Sequence, residues 1–202
     1  MPSESRSVAL SLTSAFALLV AGCDRQSGDG AQPQQQQQQQ PAAAAPSGEL
    51  AGTLDRSFAG EPIPAAELVD PDGARLALAD TRGTPVLLNL WATWCAPCVV
   101  EMPLLNDLAG AFEGRLRVLT VSEDMQGADA VVPFFAARDL PNLPRWMDPA
   151  NDLAFAFEGG AALPLTVLYD AQGREVWRVM GGYDWASPQA QAAIAEGLRA
   201  TD

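Results

Sequence analysis

The sequence contains no histidine and no lysine. Without imidazole there is no Ser-His-Asp triad, no Cys-His nucleophile pair and no histidine ligand for a metal. Basic charge of any kind is scarce. All 12 basic residues are arginine and they face 25 acidic ones, for a formal net charge of −13. Loss of residues 1–22 would remove Glu4 and Arg6, which cancel. Such a surface excludes nucleic acid as a partner, because phosphate backbones are held by basic side chains. Cysteine is nearly absent too. With only Cys23, Cys95 and Cys98, each can be assigned separately. No internal repeat is present.

The first 49 residues differ in composition from the rest. Residues 8–21 (VALSLTSAFALLVA) form an apolar run of signal-peptide length, too short to span a membrane comfortably. The run ends in Val20-Ala21-Gly22-Cys23, which resembles a bacterial lipobox. That implies a lipoprotein signal peptide over 1–22 and lipidation of Cys23. The alternative is an uncleaved apolar anchor with an incidental cysteine, and either reading puts the remainder outside the cytoplasm. Asp24 resembles an inner-membrane retention signal, which favours the periplasmic side of the bacterial inner membrane. Gln34 to Gln40 lie between Pro33 and Pro41, followed by Ala42 to Ala45 and Pro46. Nothing here can bury an apolar face, so residues 23–49 read as a lipidated, disordered tether.

From residue 50 to 202 the pattern is that of one folded domain. Ala66–Val69 and Arg75–Leu78 flank the turn signal Asp70-Pro71-Asp72-Gly73 and predict a hairpin. Pro85–Trp91 (PVLLNLW) predicts a central strand buried on both faces. Met102, Leu105, Leu108 and Phe112 recur at helical spacing. Arg115–Val121 predicts a strand. A helix is expected within 128–139, starting late or kinked because of Pro133. A short strand near Arg145–Met147 and a helix over 150–157 follow. Leu165–Tyr169 and Glu175–Met180 predict a second hairpin, and Ala190, Ile194 and Leu198 a last helix. The order implies an α/β fold, a mixed central sheet with helices on both faces and an N-terminal β-hairpin.

The chemistry sits in Trp94-Cys95-Ala96-Pro97-Cys98, between the buried strand and the next helix. At a helix N-terminus, unpaired N–H groups and the dipole stabilise a Cys95 thiolate. Pro97 fits the first turn, where its missing N–H costs nothing. Cys98, just under one turn on, lies within disulfide reach on the inward side. An exposed Cys95 is therefore expected to attack and a sheltered Cys98 to resolve. A zinc site would need four protein ligands, and haem attachment would need histidine where Val99 stands. No metal and no organic cofactor is implied. A static Cys95–Cys98 disulfide is the remaining alternative, although a loop this short adds little chain-entropy stabilisation. Trp94 is expected on the docking surface, with Trp91 and Met102 in the core.

Leu87–Pro103 (LLNLWATWCAPCVVEMP) resembles the active-site segment of the TlpA/ResA group of extracytoplasmic thioredoxin-like proteins. The resemblance covers about residues 54–200 and implies a thioredoxin-like fold. It implies a proton-handling role for Glu101, with a solvated helix carboxylate as the alternative. It places Asn89 where thioredoxin has a buried Asp, and Pro103 as the proline within the active-site helix. It implies a cis peptide at Leu163-Pro164, with a groove formed by Trp94, Ala96, Pro97, Leu163 and Pro164. Gly181-Gly182-Tyr183 either lines that groove or is a plain loop. Asp184-Trp185-Ala186-Ser187 is similar to the TlpA tail. The group's activity implies a monomeric thiol:disulfide reductase. Its partners would be a disulfide-bearing client of cytochrome c maturation or copper-oxidase assembly, a membrane electron donor, and the membrane itself through the lipid. A net oxidase or isomerase, a copper chaperone and a non-catalytic client-binding module are the alternatives.

Overall fold

The computed structural model describes residues 50–157 and 161–199. In chain order its elements are β1 (Thr53–Asp55), β2 (Glu67–Val69), β3 (Arg75–Ala77), β4 (Val86–Trp91), α1 (Ala96–Ala111), β5 (Arg117–Ser122), α2 (Ala128–Ala136), β6 (Trp146–Met147), α3 (Asp152–Ala156), β7 (Leu165–Tyr169), β8 (Glu175–Met180) and α4 (Pro188–Arg199). The signal peptide, Cys23 and the tether lie outside the described residues.

The strands form one mixed sheet in the order β1-β8-β7-β4-β5-β6-β2-β3. β4 is central, parallel to β5 and antiparallel to β7. All six of its residues are buried, and the period of two divides them between two cores. Leu87 and Trp91 join Met102, Leu105 and Leu108 of α1 and Ala190, Ala193 and Ile194 of α4. Val86, Leu88 and Leu90 join Leu68, Leu153 of α3 and Phe157 on the opposite face. A strand covered on both faces has no need of polar residues, so Asn89 in its middle stands out.

The differences from the sequence reading are local. β5 begins at Arg117, because the N–H groups of Arg115 and Leu116 donate to Phe112 O and complete the turn leaving α1. α2 starts at Ala128 and runs through Pro133, so the proline does not delay it. Burial of Val131 and Phe134 offsets the one backbone bond that the ring removes. α3 is shorter than 150–157. Strand β1 has no signal in the sequence: three residues carry no readable period, and only the pairing with β8 makes them a strand. Leu78 leaves the first hairpin for a single 3-10 turn, Leu78–Thr81. Among the described residues, no helix is long and apolar enough to cross a membrane.

Candidate active site

Strand β4 delivers the chain to Ala92-Thr93-Trp94, and the backbone then turns into α1. Cys95 is the N-cap of that helix, in extended conformation (φ −87°, ψ 102°), and Pro97 lies in the first turn. Cys95 and Cys98 are joined as a disulfide, with their Cα atoms 5.3 Å apart. Thr93 is pinned behind the pair by Asp124. Its N–H and Oγ1 donate to the Asp124 carboxylate at 2.9 and 2.7 Å, and Ser122 Oγ donates to the same group at 2.8 Å. The loop that sets the position of Cys95 is thus tied to the end of β5.

Burial departs from expectation at one point. Cys98 is fully enclosed, but Cys95 is only 6 % exposed, not open. In the disulfide its sulfur is directed at Cys98, and the start of the helix packs into the core containing Trp91 and Ala92. The order of accessibility is as expected, and the degree is far smaller.

Glu101 lies one turn after Cys98 on the buried face of α1 and has no solvent exposure. Three donors converge on it. Asn89 Nδ2 donates to Oε1 at 2.8 Å, and the Tyr183 N–H and Trp185 Nε1 donate to Oε2 at 3.0 and 3.2 Å. Burial nevertheless pushes its pKa up to about 7, against the opposite pull of these hydrogen bonds. The solvated-carboxylate alternative does not describe this residue. Asn89 Nδ2 also donates to Thr166 Oγ1 at 2.9 Å, so the amide links β4, β7 and α1. Its Oδ1 has no partner among the described residues.

The Leu163–Pro164 peptide is cis. Leu163 and Trp94 line one groove of about 450 Å³, together with Glu123, Asn151 and Phe155. Trp94 is 69 % exposed and Trp91 is buried. Ala96 is exposed and Pro97 half-buried in the first turn of α1, and Pro164 is buried; none of the three belongs to this groove's lining. The structure therefore sorts the residues singled out from sequence into two groups. Cys95, Cys98, Glu101 and Asn89 form an inner column, while Trp94 and Leu163 form an outer wall.

Sequence reading missed Thr166, Asp124 and the hydrogen bond from Trp185 to Glu101. Trp185 was visible within Asp184–Ser187, but nothing local connects it to Glu101. The acidic pair Glu123-Asp124 directly after an apolar strand is the local signal that points to Asp124. The Gly181–Tyr183 segment proves to be neither plain loop nor groove wall, because its last N–H is a ligand of Glu101.

A dithiol–disulfide pair at a helix N-terminus, fed by a central strand of this sheet, defines a thioredoxin-fold thiol–disulfide oxidoreductase. The chain belongs to the AhpC/TSA family, which matches it over residues 59–178. It is 30% identical over 143 residues to the thiol-disulfide oxidoreductase ResA of Bacillus thuringiensis (strain Al Hakam), covering 67% of this chain and 82% of that protein. Over 57 residues it is 53% identical to the thiol:disulfide interchange protein DsbE of Pseudomonas fluorescens biotype C, 28% of this chain and 32% of that one. Among solved structures it is similar to the pneumococcal exposed lipoprotein thioredoxin Etrx1 of Streptococcus pneumoniae, with a TM-score of 0.55 and 26% identity, over 67% of this chain and 98% of that chain. A thioredoxin-family thiol:disulfide interchange protein from Chlorobium tepidum shares the fold, with a TM-score of 0.58 at 21% identity over 69% and 97% of the two chains.

Proposed function

We propose that this oxidoreductase is a lipid-anchored reductant of client disulfides on the periplasmic side of the bacterial inner membrane. Residues 1–22 direct export, Cys23 carries the lipid, residues 23–49 form the tether and residues 50–202 the catalytic domain. Relatives named ResA and DsbE, and a structural relative named as an exposed lipoprotein, support this placement. The clients are cysteine-pair proteins of cytochrome c maturation or copper-oxidase assembly. The similarity of Asp184–Ser187 to the TlpA tail favours the copper branch. A membrane electron donor restores the dithiol.

The observation that carries the exchange chemistry is the buried Glu101 carboxylate one turn from Cys98. The Cys95 thiolate attacks one sulfur of the client disulfide. A Cys95–client bond forms, the client bond breaks, and the second client sulfur leaves as a thiolate. Glu101, its pKa pushed up to about 7 by burial, accepts the proton of Cys98. The Cys98 thiolate then attacks Cys95 Sγ and expels the first client sulfur. The client ends as a dithiol and the pair as the disulfide seen here. Trp94, Leu163 and Pro164, with Ala96 and Pro97 at the helix start, receive the client segment, and Asn89 positions Glu101.

The test is to trap the client. A Cys98→Ser variant lacks the resolving thiol, so acid-quenched, non-reducing purification from cells should yield a Cys95-linked adduct with a cysteine-pair protein of one of those two pathways. Adducts with many unrelated secreted proteins would indicate a general oxidase or isomerase instead. Normal function of a double-cysteine variant would favour a binding module.

A further inference from the structure

Glu123 directly follows β5, and the exchange chemistry above makes no use of it. The residue is only 3 % exposed, and neither carboxyl oxygen has a hydrogen-bond partner among the described residues. Leaving a buried carboxyl unpaired is costly, so a missing partner is the natural reading of such a group. The groove that Glu123 lines runs beside its carboxyl, whose two oxygens are covered from solvent in the disulfide form. Its walls include Trp94, next to Cys95, and Leu163, next to the cis proline, with the largely exposed ring of Phe155. No basic side chain is in that lining.

The electrostatics favour a cationic occupant. The Asp148 carboxylate, ahead of α3, faces Glu123 and opposes its ionisation, and Asp152 in the first turn of α3 acts on Asp148 in turn. Asp124, the next residue, has its carboxylate engaged by Thr93 and Ser122. The chain as a whole carries −13. A long basic side chain matches both aspects of the groove, its stem lying on apolar walls and its head on a carboxylate.

We propose that Glu123 is a specificity-determining residue, receiving an arginine or lysine side chain of the client close to the attacked disulfide, with the stem laid on Trp94, Phe155 and Leu163. This rests on thiol–disulfide exchange at Cys95. Burial, followed by Asp148, pushes the Glu123 pKa up to about 8. The free groove at neutral pH therefore holds mostly the neutral acid, and a cation must bind the ionised minority. Preference for a basic client rises with the ionised fraction of Glu123 as pH approaches 8 and levels off above it.

The probes are synthetic peptides with one internal disulfide, carrying arginine or norleucine in turn at each of the two positions on either side of the first cysteine. Fully reduced protein is mixed with each peptide, and the second-order rate of peptide reduction is measured from pH 6 to 9. Taking the arginine-to-norleucine ratio cancels thiolate ionisation, which is common to both. The expected result is a preference of about tenfold for arginine at one position at pH 8.5, falling towards unity at pH 6. Glu123→Gln should lose the preference at every pH and keep the norleucine rate within about twofold, which also reports that it is folded. Equal rates for arginine and norleucine at all positions in the unaltered protein would overturn the proposal, as would a preference that Glu123→Gln retains. Reduction of neither peptide would overturn the exchange chemistry beneath it.

Discussion

Trp185 Nε1 donates a 3.2 Å hydrogen bond to Glu101 Oε2, joining residues 84 positions apart beneath the redox pair. Both side chains are essentially sealed from solvent. The indole edge, the Tyr183 N–H and the Asn89 amide form a cage of donors around one carboxylate. These donors pull the Glu101 pKa down, against the burial that pushes it up to about 7.

Glu101→Gln should abolish the inflection near pH 7 in the rate at which Cys98 resolves a mixed disulfide, measured by single-turnover release of a thiol-linked chromophore. It should also change the pH dependence of stability. The folded-state pKa of Glu101 is raised, to about 7 from 4.5, so the folded state binds the proton more tightly. Its contribution is fully present below about pH 4.5 and is lost as pH rises through about 7. The variant is destabilised at all pH values, because a glutamine NH₂ must face one of the three donors. Its Tm relative to the unaltered protein should still be several degrees less unfavourable at pH 8 than at pH 5. A pH-independent difference would place Glu101 outside the proton budget of folding and exchange.

Trp185→Phe should shift the same inflection upward, since one of the bonds that lower the Glu101 pKa is lost. The stability cost should be about 1–2 kcal/mol, for a lost hydrogen bond to a carboxylate and a small void. Chemical denaturation measures the second effect and the pH–rate curve the first. An inflection that stays in place while stability falls would make Trp185 a packing residue only.

Gly52→Ala should disturb the site from the far end of the chain. A Cβ on Gly52 would lie 2.5 Å from Gly181 O and 2.8 Å from Gly182 O, backbone atoms that cannot swing aside. Gly52 N–H also donates to Gly182 O at 2.7 Å. Relief of the clash must displace the segment that presents the Tyr183 N–H to Glu101. The expected cost is about 1–3 kcal/mol, with a changed pH–rate profile; a profile identical to the parent would disconnect this strand end from the chemistry.

Cys95 should be alkylated before Cys98 in the reduced protein below pH 8, as read by peptide mapping after brief iodoacetamide treatment. It sits at the helix N-terminus, and it alone of the pair has any exposure. Because that exposure is only 6 %, labelling should be slower than for a fully exposed thiol of similar acidity. First labelling at Cys98 would reverse the roles of attacking and resolving thiol.

The sequence by itself determined the parts of this protein that depend on neighbours along the chain. An apolar run doubly covered in the sheet, a break at Ala92–Trp94 and a Cys-x-x-Cys with proline in the first turn specify strand, turn and helix N-terminus locally. The reactive pair is therefore legible without a structure. So were both hairpins, because turn residues and strand period are short-range signals. The tertiary structure alone decided the surroundings of that pair. Whether Glu101 is solvated or sealed depends on Asn89, Tyr183 and Trp185, which lie 12, 82 and 84 residues away and meet it only when β4, α1 and the chain after β8 pack together. Whether Glu123 is an ordinary acidic residue or a buried one with unpaired oxygens depends in the same way on the packing of the chain end after β5 near α3. Burial and proton affinity are properties of packed volume, and no short stretch of sequence encodes them.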